Sequence, residues 1–394
     1  MHYKNPVKPA AIFQIGFYDS LNTSASNDLR REQFRWNNQV SFGYKIKKVQ
    51  LNLGASLYDQ WISNQYTKGE SSQLHYSNLL FNTGFNVNRI SVSLSTGASA
   101  PSINYLNPVT DNSNPFYIVN GNPHLRQSTQ TNFRVNGTIF KVKNNVSYNF
   151  NLNARVENDA VIQSLVVNGA GAQVSTPINV DNVLRLNTRV GVNKQFKKNP
   201  RFIFSADLSM IGQYNSTPLM FNNILSTTNS YVVLPMARLT FNWHDVVEFN
   251  PTANVSFRQN TYSSPQFAST NFTTQNYSGE FIVRLPKKIV WETNLAYRYT
   301  ENLAPGLPKS SVYWNAAVTL LMFKEDKGQL KLAVNDILNS NNNASRIVNG
   351  NLVTDSRSLV LQRFYMLTYN YNIRSFGGQK TKVGGNQGNG IFRF

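Results

Sequence analysis

Only 14% of the 394 residues are charged, against ~25% in an ordinary soluble domain, yet the mean hydropathy of −0.36 is polar and nowhere do ~18 apolar residues run together. This excludes a helical membrane protein and argues against a soluble β-sandwich, whose outer faces need more charge. The formal charge of +19 is scattered through turns and alternating positions rather than gathered in one patch, which argues against nucleic acid as a partner; the absence of cysteine removes disulfides, thiolate nucleophiles and thiolate metal sites.

The chain opens on MHYKNPVKPAAIFQIGFY, which has no apolar core of signal-peptide length followed by a small-residue cleavage site. A first strand is expected near Ala11 to Tyr18. Segment 48 to 58 sets Val49, Leu51, Leu53, Ala55 and Leu57 against Lys48, Gln50, Asn52, Ser56 and Tyr58. Residues 146 to 157 do the same, with Val146, Tyr148, Phe150, Leu152, Ala154 and Val156 on one face and Ser147, Asn149, Asn151, Asn153, Arg155 and Glu157 on the other. Residues 183 to 193 set Leu184, Leu186, Val190 and Val192 against Arg185, Asn187, Arg189 and Asn193. A period of two is the pattern of a sheet with one oily and one hydrated face, and helical spacing would mix these classes.

Carried along the chain, the pattern gives about sixteen strands, many longer than the ~9–11 residues that cross a bilayer, and no convincing helix. Short turns are expected near residues 45 to 48, 142 to 145, 194 to 200, 284 to 288 and 324 to 328. They alternate with longer loops at 60 to 73, 98 to 127, 158 to 179, 215 to 229, 260 to 270, 301 to 309 and 339 to 357, rich in Asn, Ser, Gly and Pro. The fold class is therefore all-β, a transmembrane antiparallel β-barrel in the outer membrane of a Gram-negative cell, with short turns in the periplasm and long loops outside. Lysines such as Lys47, Lys48, Lys143, Lys287, Lys288, Lys324 and Lys327 gather at the short turns, a solvated rim that also suits anionic lipid head groups. The barrel is assigned to residues 1–376. Its last strand, 359 to 373, carries Tyr365, Tyr369 and Tyr371 as an aromatic girdle, and a glycine-rich tail, 377–394, follows to Phe394.

No catalytic residue, metal site or cofactor is expected. His2, His75, His124 and His244 lack metal-binding spacing, and neither a G-x-S-x-G nor a phosphate-cradling G-x-x-x-x-G-K motif occurs. His75 is the histidine to examine for a Ser–His pair, a strand-end structural role being the simpler reading.

Two stretches go beyond generic barrel character. In APSINYLNPVTDNSNPFYIVNGNPHLR, residues 100 to 126, the order Pro101, Ser102, Ile103, Leu106, Pro108, Asp111 to Pro115, Gly121-Asn122-Pro123 and Leu125 resembles a loop of TonB-dependent receptor barrels of the Bacteroidetes type. AVNDILNS, 333 to 340, resembles a segment near the C-terminus of the same receptors; Asp336 and Asn339 within it are expected to end a strand and bond nearby amides. The resemblance implies the C-terminal portion of a barrel of roughly 22 strands with a plugged lumen. It also implies a missing plug domain and missing N-terminal strands, a TonB complex acting through the plug, surrounding outer-membrane lipid, and an external solute such as a metal chelate, vitamin, glycan or peptide. The candidate solute-facing residues are Asn104, Tyr105, Asp111, Asn112, Phe116 and Tyr117, because binding residues favour long loops on rigid scaffolds. A passive sixteen-stranded porin-like channel is the alternative, and a secreted β-rich adhesin a third class with less reason for an oily face.

Overall fold

The computed structural model describes residues 29–67, 71–169, 171–199, 201–341, 343–349, 352–358 and 360–373. The strand expected near Ala11 to Tyr18 and the glycine-rich tail lie outside the described residues.

Strands β1 (Leu29–Ile46), β2 (Val49–Tyr66), β3 (Ser72–Val87) and β4 (Ile90–Ser99) run up and down as neighbours. A short helix, α1 (Ile103–Leu106), and two short strands, β5 (Asp111–Asn114) and β6 (Tyr117–Val119), then leave the wall. The wall resumes with β7 (Ser128–Lys141) and β8 (Val146–Asn158), which pairs onward with β11 (Val183–Asn199). The hairpin of β9 (Ala160–Val167) and β10 (Gln173–Val180) stands on the connection between β8 and β11. From there β12 (Phe202–Phe221), β13 (Ile224–Trp243), β14 (Val247–Tyr262), β15 (Thr270–Val283), β16 (Ile289–Thr300), β17 (Ser310–Met322) and β18 (Gly328–Asn335) follow, each antiparallel to the one before. A separate hairpin of β19 (Asn343–Asn349) and β20 (Leu352–Ser358) precedes β21 (Phe364–Tyr371), which pairs with β18.

Register turns the alternation of single strands into two continuous surfaces. Arg134, Asn153, Asn187 and Gln213 stand opposite one another on successive strands, and so do Asn193, Asp207, Arg238, Thr252 and Ser278. On the other face Phe150, Val190, Met210 and Pro235 line up, as do Val192, Leu208, Ala237 and Ala253. Leu208 is 49% exposed and Leu367 68% exposed, so the oily face is an open surface that water would not tolerate and lipid would. The polar face is therefore the lumen side of an antiparallel outer-membrane barrel.

Aromatic rings bound the oily face. Near the short turns Phe196, Phe204, Phe241 and Phe249 stack at centroid spacings of 4.9, 4.7 and 6.1 Å on consecutive strands, and Phe281 meets Phe249 edge-on. Toward the other end Tyr214 packs on Tyr231 at 4.9 Å, and Tyr277 stacks on Tyr297. Phe204 and Tyr214 lie ten positions apart on one strand, roughly 33 Å at ~3.3 Å per residue; a strand tilt of ~40° reduces this to about 25 Å, the height of the apolar band of such barrels. Tyr371 completes the lower girdle against Phe323. Lys194 Nζ lies 4.6 Å from the Phe196 ring centre and Lys141 Nζ 5.6 Å from that of Tyr148, so these lysines project from the girdle toward water.

Several expected loops are strand. Residues 215 to 229 belong to β12 and β13, each 20 residues long and joined by Asn222 and Asn223, both at positive φ as a two-residue hairpin turn requires. Residues 60 to 66 complete β2, and most of 158 to 179 and 339 to 357 forms the β9–β10 and β19–β20 hairpins. The physical reason is common to all: above the membrane neither face of a strand meets lipid, so the oily alternation fades although the backbone ladder continues; in 60 to 66 the inward face, Gln60, Ile62, Asn64 and Tyr66, is buried and mostly polar. The last strand is shorter than expected, beginning at Phe364, and the short-turn end has two further tight turns, at Asn88 and at His244 and Asp245. Among the described residues β1 pairs with β2 alone and β21 with β18 alone.

Candidate functional site

The segment between β4 and β7 is folded rather than slack. Ser102 carbonyl accepts from Tyr105 N–H to start α1, and Leu106 is fully buried, its carbonyl bound by the Tyr66 hydroxyl at 3.1 Å. The chain returns past α1 at Gly121, where a Cβ would sit 1.7 Å from the Asn107 carbonyl oxygen, so only glycine fits. Asn122 N–H donates to the Tyr105 carbonyl at 2.6 Å, and its side-chain amide donates to the Pro177 carbonyl at 3.0 Å.

That second bond belongs to a seam with the neighbouring hairpin. β6 pairs in parallel with β10, with Tyr117 opposite Gln173 and Val119 opposite Ser175. Gln173 N–H donates to the Phe116 carbonyl and Asn120 N–H to the Ser175 carbonyl. Asn179 accepts from Arg126 N–H and donates back to the Arg126 carbonyl, while the Arg126 guanidinium meets Asp159 at 2.5 Å. The loop and the β9–β10 hairpin thus form one cap over the upper end of the wall.

All six candidate residues lie on this cap with exposed side chains. Asn104 and Tyr105 sit on α1, Asp111 and Asn112 on β5, Tyr117 on β6, and Phe116 between the two strands. Asp111 Oδ1 accepts from Ser113 N–H and Asn114 Oδ1 from Phe116 N–H, both at 3.0 Å, which fixes the turn that lifts Phe116 to 74% exposure. Sequence reasoning missed the anchors Asn120, Asn122 and Asn179, each of which bonds across the seam to a residue more than fifty positions away, a contact that leaves no local signal.

Beneath the cap, on the lumen face, Glu157 accepts from Arg155 at 3.1 Å and from Arg185 at 2.7 Å. Further round, Lys331 pairs with Glu292 and Arg284 with Glu248, each at 2.7 Å. In the β19–β20 hairpin, above the membrane, Arg346 donates two hydrogen bonds to Asp355 and holds its carboxyl below the usual carboxylate range; the Ala304 N–H also binds this carboxylate.

Asp336 is buried at the end of β18, its carboxylate accepting from Ser340 and Asn341 N–H as expected, whereas Asn339 accepts from Arg363 N–H, 24 residues on, and so ties the turn to the start of β21 rather than to a nearby amide. His75 stacks on Trp61 at 4.6 Å with Nε2 3.6 Å from Asp59, on the oily side of β3 near its start. An apolar groove of about 780 Å³ runs across Phe150, Val190, Leu208, Met210 and Ala237 between the girdles; it faces lipid and is no part of the cap.

A model of the outer membrane protein beta-barrel family matches residues 13–243 and 221–371. No curated protein matches the chain. Solved structures of OmpT, an outer membrane protein of Vibrio cholerae, show distant similarity. The outer-membrane expressed form is 7% identical, covers 72% of this chain and 90% of its own, and has a TM-score of 0.21. The trimer form folded in vitro is 8% identical, with coverage of 88% and 99% and a TM-score of 0.24. Likeness at that level says nothing about how this chain works.

Proposed function

Since the chain belongs to the outer membrane protein beta-barrel family, we propose that it supplies the barrel wall and outer cap of a TonB-dependent receptor that imports a scarce external solute and performs no catalysis. The observation that supports this reading is the cap. Outer-membrane barrels in general carry long outer loops, but here two of them are bound to each other by a parallel strand pair and the Arg126–Asp159 bridge, and together they present Tyr105, Phe116 and Tyr117 to the outside. A rigid scaffold holding exposed aromatic and amide groups is the usual arrangement for ligand capture.

Among the described residues β1 and β21 each have one unpaired edge, which fits the same reading. In lipid each unpaired backbone group costs several kcal/mol, and on this reading strands beyond the described residues close the wall between them. On this reading those strands come with a plug domain that fills the lumen, and the inner-membrane TonB complex acts on the plug.

Planar-bilayer recording on the complete gene product, purified from outer membranes, tests the proposal. A plugged receptor is electrically silent and opens only after denaturant loosens the plug. Steady ohmic conductance without such treatment would replace this reading with the porin-like channel.

A further inference from the structure

Four arginines lie on the lumen face of β7, β8 and β11, and two of them share one carboxylate. Arg155 stands directly opposite Arg185, Arg134 opposite Asn153, and Arg189 opposite Asn151, so all four project from one face within a few residue steps. With strands ~4.8 Å apart and same-face neighbours ~6.7 Å apart along a strand, the cluster spans roughly 15 Å. Glu157 is shared by Arg155 and Arg185. Among the described residues no carboxylate pairs with Arg134 or Arg189, both of which are exposed to the lumen, and Arg155 Nε is buried without a partner.

Four cations against one anion is a costly way to wet a wall. Like charges directly opposite on neighbouring strands repel, and the neutral Asn151, Asn153 and Asn187, interleaved with the arginines on this face, hydrate it without that cost. Water in the lumen needs no arginine. A guanidinium does offer a planar fork matched to carboxylate and phosphate oxygens, and a concave surface lined mainly by one sign of charge raises the local concentration of the opposite ion. The cluster also lies next to the cap, because β8 leads into β9 through Asp159, the partner of Arg126.

We propose that Arg134, Arg155, Arg185 and Arg189 form a binding station for an oxyanion-bearing solute, one carrying carboxylate or phosphate groups, immediately beneath the cap. The inference rests on the transport reading for the route the solute takes, but binding at the station does not require transport.

Calorimetric titration of the full chain in detergent micelles tests it, with pyrophosphate and citrate as separate anionic probes, maltotriose as a neutral control and spermidine as a cationic one. At least one anion is expected to bind, more weakly as salt rises, and which of the two binds decides between phosphate and carboxylate. The double variant Arg134→Gln/Arg189→Gln should weaken that binding about tenfold or more, since each charge-assisted contact contributes on that scale. The single variant Arg189→Gln, at an exposed position away from Glu157, should weaken it severalfold and guards against misfolding of the double variant. Lys324→Gln/Lys327→Gln at the short turns should leave it unchanged. Failure of both anions to bind, equal binding of maltotriose, or wild-type affinity in the arginine variants would overturn the proposal. A chain that binds anions in micelles yet conducts freely in bilayers would keep this station and lose the receptor reading.

Discussion

The two ends of the wall differ in how their connections are held, although the upper end also has a tight turn, at Asn222 and Asn223. At the lower end the strands reverse in tight turns, with Lys47, Asn88, Asn145, His244 and Asp245 at positive φ, and lysines lean over the aromatic girdle. At the upper end strands run on past the membrane, and connections bind to one another: β6 to β10, Arg126 to Asp159, Asn179 to Arg126. A turn that only has to reverse the chain is encoded locally by a residue that tolerates φ > 0. A cap that has to hold a shape is encoded by contacts between segments far apart in sequence. The lower end thus anchors the wall, and the upper end is where a ligand-specific shape can be kept.

The largest expected effect falls on the band between the girdles. Leu208→Arg places a charge near mid-bilayer and should cost ~2–4 kcal/mol in urea unfolding from lipid vesicles, whereas Ser209→Arg, one residue on and facing the lumen, should cost ~1 kcal/mol or less. Equal costs would show that the two faces are assigned wrongly.

Next comes the cap. Gly121→Val forces a side chain against the Asn107 carbonyl and should destabilise the cap by ~1–3 kcal/mol, seen as faster protease nicking between 100 and 127. The heat-modifiable gel shift of the folded barrel should persist. Loss of that shift would mean that the cap is part of the wall's stability and that the contrast between the two ends is false.

The β19–β20 hairpin gives the smallest effect, with a defined sign in pH. The folded-state pKa of Asp355 is depressed, first by the Arg346 hydrogen bonds, so the pair's contribution is present above the ordinary carboxylate pKa and is lost as pH falls through the lower folded value. The size is ~1 kcal/mol or less. Limited proteolysis of the hairpin should quicken on acidification in the wild type, and the Asp355→Asn variant should be nicked at the faster rate at all pH values. A wild-type rate that does not change with pH would remove the pair from the account.

These contrasts also explain what was legible in the sequence. The wall was readable because each strand between the girdles meets lipid on one side and water on the other, so Val146 to Val156 and Leu184 to Val192 alternate without knowledge of any partner. The turns were readable where lysine, asparagine and glycine cluster, and missed at Asn88 and His244, where the signal is one or two residues long. Strand extensions such as 215 to 229 were read as loop because neither of their faces meets lipid, so polar residues such as Ser226 and Thr228 stand where an oily alternation would mark a strand. Of the site, the exposed loop residues were visible as loop chemistry, but the Arg155–Arg185 juxtaposition needed register, which no single strand carries.

The claim beneath all of this is that one face of the wall meets lipid and the other a polar, hydrated lumen, and the cysteine-free chain allows it to be tested without background. Single cysteines placed at each position from Phe204 to Tyr214, in protein reconstituted into vesicles, should react with a charged, membrane-impermeant maleimide in strict alternation: fast at Ser205, Asp207, Ser209, Ile211 and Gln213, slow at the even positions. Labelling that is uniform along the strand, or that varies with a period other than two, would contradict the account.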